Sequence, residues 1–144
     1  MSILRNIMKE ITGINHIGIR VANLEASREF YEKIGFEFIV GPVGPEPVAI
    51  MEHPSGININ FILNAHTKEK ENVLMDIPVK HTGYTHMALE ILDLESVIAQ
   101  LECKNITITE GPISLPDGAT FIFVRDPDSN VIEFHRPAFL KASN

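Results

Sequence analysis

Apolar and polar residues alternate in two stretches of the chain, INHIGIRV and YTHMALEI. Alternation of this kind is typical of a β-strand with one buried face. In the first stretch the apolar residues take the odd-numbered positions, so they should face a helix, while His16, Gly18 and Arg20 share the opposite face. The second stretch places His86 in the corresponding position. Each stretch therefore predicts a strand with a histidine on the face turned away from the helices.

A helical pattern follows each of these strands. Asn23 and Asp93 are favourable N-cap residues, and Gly35 and Asn105 suit the left-handed conformation in which many helices end. Between these limits, apolar residues recur at helical spacing. We therefore predict one helix in each half. The expected buried stripes are Leu24, Ser27, Phe30, Tyr31 and Ile34 in the first helix, and Leu94, Val97, Ile98 and Leu101 in the second.

Three further strands are predicted after each helix, so that the chain reads βαβββ twice. The fold class is α+β. The segment GPISLPDGAT (111–120) is expected to form a turn-rich loop at the mouth of the site, because Gly, Pro and Asp punctuate it. The predicted strands cover about 36–40, 47–52 and 57–63 in the first half, and about 106–110, 119–124 and 130–135 in the second.

The two halves are copies of one module. His16 and His86 match at an offset of 70, and HPSGININF matches DPDSNVIEF at an offset of 73. We predict a single domain over 1–144, built of module one (about 11–64) and module two (about 83–137). A charged linker (66–83) joins them and is a candidate lid over a site. Neither module is large enough for a comfortable core alone, so the two should pack together or pair across a dimer.

Composition narrows the classes of partner. With 12 basic and 19 acidic residues the formal net charge is -7, and no basic stripe exists. Nucleic acid and anionic membranes are therefore poor partners, and a small molecule is the expected one. The sequence has no membrane-length apolar run and no recognisable signal peptide. Cys103 is the only cysteine, which excludes an internal disulfide and fits a cytoplasmic protein; we expect it to be buried rather than nucleophilic.

A candidate metal site follows from the repeat. His16 and His86 take matching places on the first strands, and Asn60 and Glu133 take matching places on the last strands. A strand histidine taken alone is more often structural. With pseudo-twofold packing, however, the four side chains would converge, and two imidazoles with one carboxylate form a known facial set for an open divalent-metal site. We therefore predict His16, His86 and Glu133 as metal ligands.

The paired βαβββ layout, the histidines of INHIGIRV and YTHMALEI, and the ending FVRDPDSNVIEF resemble the vicinal oxygen chelate superfamily. That group includes glyoxalase I, extradiol dioxygenases, methylmalonyl-CoA epimerase, fosfomycin-resistance enzymes and bleomycin-binding proteins. The resemblance covers about 11–137. It implies a cupped half-barrel sheet of the glyoxalase/bleomycin resistance/dioxygenase type. It also implies one divalent metal ion per site (Zn, Ni, Mn or Fe), often in a homodimer.

Glyoxalase I resembles the chain at further positions. Its pattern has an Arg four residues after the first His, matched by Arg20, and an Asn four residues after its first acidic ligand, matched by Asn64. In that family both residues help to hold glutathione. The departure is Asn60, which stands where glyoxalase I has a Glu ligand. An amide brings no negative charge and cannot accept a proton, so either Asn60 coordinates as a neutral ligand or it is not a ligand.

The resemblance implies a metal-dependent glyoxalase-like lyase or isomerase for a small oxygen-chelating substrate, a thiol adduct being one candidate. The substrate-binding residues would be Arg20, Asn60 and Asn64. Three alternatives stay open. Extradiol dioxygenases are typically longer than this chain, fosfomycin-type thiol transferases are expected to carry a Thr where Gly18 stands, and bleomycin-type binding proteins usually lack the metal residues.

Further catalytic candidates lie near the predicted ligands. Glu133 is a candidate base. His135 and Tyr84 lie two positions from Glu133 and His86 and should share their faces, where either is a candidate acid or base. Both would equally suit a rim without a catalytic role. Arg20 should point into the cup, where it would bind an acidic group of the ligand or form an ion pair with Glu90.

Overall fold

Each half of the chain forms a four-stranded sheet with one helix, which confirms the predicted βαβββ order and the α+β class. The structure is a computed structural model that describes residues 7–66 and 71–138. Module one contains β1 (Ile17–Arg20), α1 (Leu24–Lys33), β2 (Glu37–Val43), β3 (Val48–Glu52) and β4 (Asn58–Ile62). Module two contains β5 (His86–Glu90), α2 (Leu94–Cys103), β6 (Ile108–Ser114), β7 (Thr120–Arg125) and β8 (Val131–Arg136). No helix in the described ranges is long and apolar enough to cross a membrane.

The two sheets have the same topology. Their strand orders are β1-β4-β3-β2 and β5-β8-β7-β6, and in each the first and last strands of the module pair in parallel. The duplication extends to the register, because Gly18 lies opposite Asn60 as Ala88 lies opposite Glu133. Asn60 and Glu133 therefore occupy the same place in their sheets, as the offset of their sequences predicted.

The helix ends agree with the sequence. The side chains of Asn23 and Asp93 accept hydrogen bonds from the backbone N–H groups of the first turns of α1 and α2, which satisfies donors that would otherwise have no partner. After the helices, Gly35 and Asn105 take positive φ angles of 102° and 58°. These residues accept the left-handed conformation more readily than most, so each helix stops where the sequence predicts.

The helix-facing sides of both sheets contribute to one hydrophobic core. Tyr31 of α1 lies in its centre, fully buried, and donates a 2.8 Å hydrogen bond to the buried carboxylate of Asp126 in the turn before β8. Burial raises the pKa of Asp126 despite this contact and the hydrogen bonds that it accepts from Asn130 and Asp128. The two modules are thus joined by a buried polar contact as well as by apolar packing.

Two expectations were wrong. Residues 111–114 belong to β6, so that only part of 111–120 is a loop. Gly111 lies at an irregularity in the β6–β7 pairing with φ +97°, and a Cβ there would approach the carbonyl oxygen of Phe121 to 2.8 Å. The glycine therefore marks a close backbone approach within a strand rather than its end. Cys103 is exposed, because it lies outside the buried stripe of α2.

The described part of the linker packs against module two. Asp76 forms an ion pair with Arg125 of β7, with two hydrogen bonds of 2.9 Å. Asn72 donates to the backbone carbonyl oxygen of Ser129. The segment is therefore attached to the β7–β8 end of the second sheet. Residues 67–70 of the predicted linker lie outside the described residues.

Candidate metal centre

Glu133 is the central residue of the candidate site. It lies in β8 on the face opposite the core residues Ile132 and Phe134, with only 7% of its surface exposed. His86 Nε2 is 2.9 Å from Glu133 Oε1, and His135 Nδ1 is 2.6 Å from Glu133 Oε2. An ionised carboxylate only accepts hydrogen bonds, so each histidine donates an N–H to it. The carboxylate of Glu133 is thereby held on both oxygens.

Aromatic rings complete this arrangement. The ring of Phe123 lies edge-on to His86 and to Phe121, each at 5.7 Å between centroids. Phe121 in turn stacks on His135 at 5.5 Å, with an angle of 4° between the ring planes. We call these five residues the Glu133 cluster: His86, Phe121, Phe123, Glu133 and His135. Each imidazole therefore has a hydrogen bond and an aromatic contact that restrict its orientation.

Among the described residues, His16 shares no hydrogen bond, ion pair or ring contact with the Glu133 cluster. It is exposed, one residue before β1, with Nδ1 2.8 Å from the side-chain oxygen of Asn15. His86 and His135 contact different oxygens of Glu133, and the residues that the structure describes contain no group of three or more His, Cys, Asp or Glu side chains that could hold a metal ion. The core explains the separation. Because the helix sides of both sheets meet there, the faces that carry His16 and Glu133 are both turned away from it.

The donors of module two nevertheless fit a divalent ion. An imidazole nitrogen and a carboxylate oxygen are a suitable pair for Zn, Ni, Mn or Fe. His86 Nε2 and Glu133 Oε1 lie side by side, and the proton between them is the one that metal binding would displace. One chain thus brings two of the predicted ligands together, and His16 is the third donor predicted from the sequence.

The predicted substrate-binding residues lie on the outer face of module one. Arg20 Nε donates a 2.9 Å hydrogen bond to the side-chain oxygen of Asn64, and Asn64 Nδ2 donates to Glu46 at 3.0 Å. Arg20 is therefore paired with an amide. The ion pair with Glu90, which was the alternative offered by the sequence, is not found among the described residues. Asn60 is half-buried in β4, directly opposite Gly18 of β1.

Tyr84 is fully exposed and lies at a groove of about 460 Å³ between the modules. Arg20 and His86 also line this groove, together with Asn72–Leu74 of the linker. The structure thus places the linker along a cavity, where the sequence analysis proposed a lid. His16 and His135 are not among the residues that line it.

Sequence reasoning did not single out Phe121, Phe123 or Glu46. The two phenylalanines could have been found, because they alternate with Ile122 and Val124 and so share the face of Glu133 on the neighbouring strand. Glu46 lies in the turn between β2 and β3, where no periodicity indicates the direction of a side chain.

Comparison with known proteins identifies the family. Residues 13–134 match the Glyoxalase/Bleomycin resistance protein/Dioxygenase superfamily. The chain is 30% identical over 132 residues to the metallothiol transferase FosB of Staphylococcus epidermidis (strain ATCC 12228 / FDA PCI 1200), covering 88% of this chain and 82% of that protein. The chain therefore belongs to this superfamily, as the resemblance in its sequence predicted.

Solved structures agree with the assignment of the fold. The glyoxalase family protein of Enterococcus faecalis superimposes with a TM-score of 0.70 at 25% identity, covering 88% of this chain and 98% of that one. The fosfomycin resistance protein FosX of Listeria monocytogenes gives a TM-score of 0.66 at 16% identity, covering 88% and 94% of the two chains. The second likeness extends to the fold alone.

Proposed function

We propose that the chain is a divalent-metal-dependent enzyme in which His86 and Glu133 hold the ion together with His16. The contact between His86 Nε2 and Glu133 Oε1 on the outer face of module two is the observation that carries this proposal. Superfamily membership supports it, because a metallothiol transferase is among the relatives. A divalent ion in this place would act as a Lewis acid on the oxygens of a chelating substrate.

The site is shared between two copies of the chain. Within one chain His16 and Glu133 lie on faces that are both turned away from the common core, and the described residues contain no complete set of three ligands. A homodimer that brings the outer face of module one against the outer face of module two of its partner would join the ligands. Each dimer would contain two such sites by symmetry.

The reaction that we propose is a glyoxalase-like isomerisation or lyase reaction. It is supported by the hydrogen bond between Arg20 and Asn64, the two residues that match the glutathione-binding positions of glyoxalase I. Their exposed polar groups would bind an anionic part of the substrate. Glu133, or an acid or base at His135 or Tyr84, would move the proton between neighbouring carbons.

Transfer of a thiol to a small oxygen-rich substrate is the second candidate. The observation that favours it is the 30% identity to metallothiol transferase FosB. Gly18 weakens this candidate, because it stands two residues after His16, where a fosfomycin-type thiol transferase is expected to carry a Thr. A Cβ at Gly18 would meet only the end of the Ile62 side chain, at 3.3 Å, so the backbone itself leaves room for a larger residue.

The first experiment is elemental analysis of protein purified without added metal or chelator. We expect about one equivalent of a divalent metal per chain, and its loss in His86→Ala with the fold retained. His81→Ala, which replaces an exposed histidine outside the candidate site, is the matched control and should keep its metal. Full metal content in His86→Ala would contradict the ligand assignment.

The loaded protein then separates the reactions. Isomerisation of a hemithioacetal of glutathione would support the first candidate, and addition of a thiol to fosfomycin the second. Oxygen consumption with catechols would instead identify a ring-cleaving dioxygenase. A protein that takes up no metal on titration would contradict the proposal and leave a small-molecule binding protein.

A further inference from the structure

The geometry points to His135 as the positioning residue for Glu133, a role that rests on the proposed metal centre and adds a residue to it. His135 Nδ1 lies 2.6 Å from Glu133 Oε2, the oxygen that does not contact His86. By donating its N–H there, His135 orients the carboxylate and leaves Oε1 available beside His86. A hydrogen-bond partner of this kind fixes a ligand before the ion arrives.

The orientation of His135 is itself fixed. Its ring stacks in parallel on Phe121, which is held edge-on by Phe123. Glu133 is nearly buried, so its carboxylate would lose hydrogen bonds to water that a protein donor has to replace. The stacked imidazole supplies this donor in one fixed direction, which a mobile surface side chain would not do.

Module one is an internal control for this role. In β4 the counterpart of Glu133 is Asn60, and the counterpart of His135 is Ile62. The strand register supports the second match, because Ile62 pairs with Val48 of β3 as His135 pairs with Phe121 of β7. The same sheet thus forms with an aliphatic residue where module two has the imidazole. The imidazole is therefore not a requirement of the fold, and it is found only in the copy whose strand carries the carboxylate.

The test is titration of the metal-free protein with Co²⁺, followed by its absorption spectrum. His135→Ile copies the residue of module one and removes the donor. We expect it to weaken Co²⁺ binding by about 10- to 100-fold, the usual effect of losing a partner that orients a ligand. His135→Asn retains an N–H donor at the position of Nδ1 and should recover most of the affinity. When metal-free, His135→Asn should unfold like the wild type, whereas His135→Ile should stay folded but melt a few degrees lower, because the carboxylate of Glu133 loses a donor.

Wild-type affinity in His135→Ile would overturn the inference, and so would an equal loss in both variants, because the donor would then not be the relevant feature. The outcome is separable from that of the proposed function. If the wild type itself binds no Co²⁺, the proposed metal centre is contradicted. If the wild type binds Co²⁺ and His86→Ala does not, the proposed metal centre is supported, and the comparison of the His135 variants tests the positioning role alone.

Discussion

The difference between Asn60 and Glu133 is the clearest chemical asymmetry between the two modules. Both residues occupy the same register of their sheets, but only Glu133 can carry a negative charge. A divalent ion held by two neutral histidines and one carboxylate keeps a net positive charge, which favours an anionic oxygen ligand. A second carboxylate would neutralise the ion and supply a second base.

Asn60→Glu tests whether position 60 faces the proposed metal site. In the strand register, His16 lies two residues before the residue opposite Asn60, as His86 lies two residues before the residue opposite Glu133. We therefore expect the new carboxylate to reach the proposed site, to leave metal bound and to change the proposed isomerase activity. A positioned base typically contributes about 10²- to 10⁴-fold to a rate, so the change in kcat should be large if proton transfer limits it. Unchanged activity would place position 60 outside the site.

Period-two reasoning predicted the direction of side chains well at the residue scale. It placed Glu133 and His135 on one face of their strand, and Arg20 on the face away from the helix, as the structure has them. It predicted that His86 and Glu133 converge, and the structure brings them to hydrogen-bond distance, but it could not foresee the bonds of Arg20 to Asn64 and of Asn64 to Glu46. Those contacts depend on pairing between strands that are distant in sequence, which no local pattern encodes.

At the scale of elements, local chemistry determined the helices more sharply than the strands. The caps of α1 and α2 satisfy backbone groups within a few residues, so the sequence indicates their ends directly. β6 was harder to predict because Gly111 and Pro112 are typical of turns. In the structure the glycine allows a close approach to β7 within the sheet, a requirement that becomes visible only when the neighbouring strand is known.

The attachment of the linker to module two should depend on pH. Arg125 lowers the pKa of Asp76 from 3.8 to about 2. Because the pKa of Asp76 is lower in the folded chain, the ion pair contributes its full stability at pH values above the pKa of Asp76 in the unfolded chain. This contribution is lost as the pH falls towards the pKa of Asp76 in the folded chain. We expect the wild type to melt above Asp76→Asn by a constant margin from neutral pH down to about pH 4, and by a shrinking margin below it.

The measurement is the difference between the two melting temperatures as a function of pH, with Arg125→Gln as the control that removes the partner. In the Arg125→Gln background, Asp76→Asn should have little further effect. A margin that stays constant between about pH 4.5 and 3, within the range in which both proteins fold, would contradict the role of Asp76.

At the scale of the whole molecule, the sequence predicted two modules and their shared core but left the relation between their outer faces open. The repeat suggested that His16 and His86 converge, which would hold for modules packed with their outer faces together. The chain instead joins the modules through their helix sides, where Tyr31 and Asp126 are buried. The choice between these arrangements depends on apolar packing summed over both modules, not on the few residues of a motif.

The proposed sharing of the site between two chains makes a prediction that a site within one chain does not. In His16→Ala every site of a homodimer lacks its ligand from module one, and in Glu133→Ala every site lacks its carboxylate from module two, so neither variant alone should retain metal. When the two are unfolded together and refolded, mixed dimers form in which one site takes His86 and Glu133 from the first variant and His16 from the second. That site is intact, whereas the other carries both defects.

We therefore expect the refolded mixture to regain metal and activity that neither variant shows by itself. The measurement is metal content and kcat of the mixture against each variant refolded alone, with the wild type unfolded and refolded in the same way as the control for refolding. Because mixed dimers are only part of the mixture, recovery should stay well below the wild-type value. A mixture as inactive as its components, in which mass spectrometry detects mixed dimers, would show that the ligands of a site come from one chain.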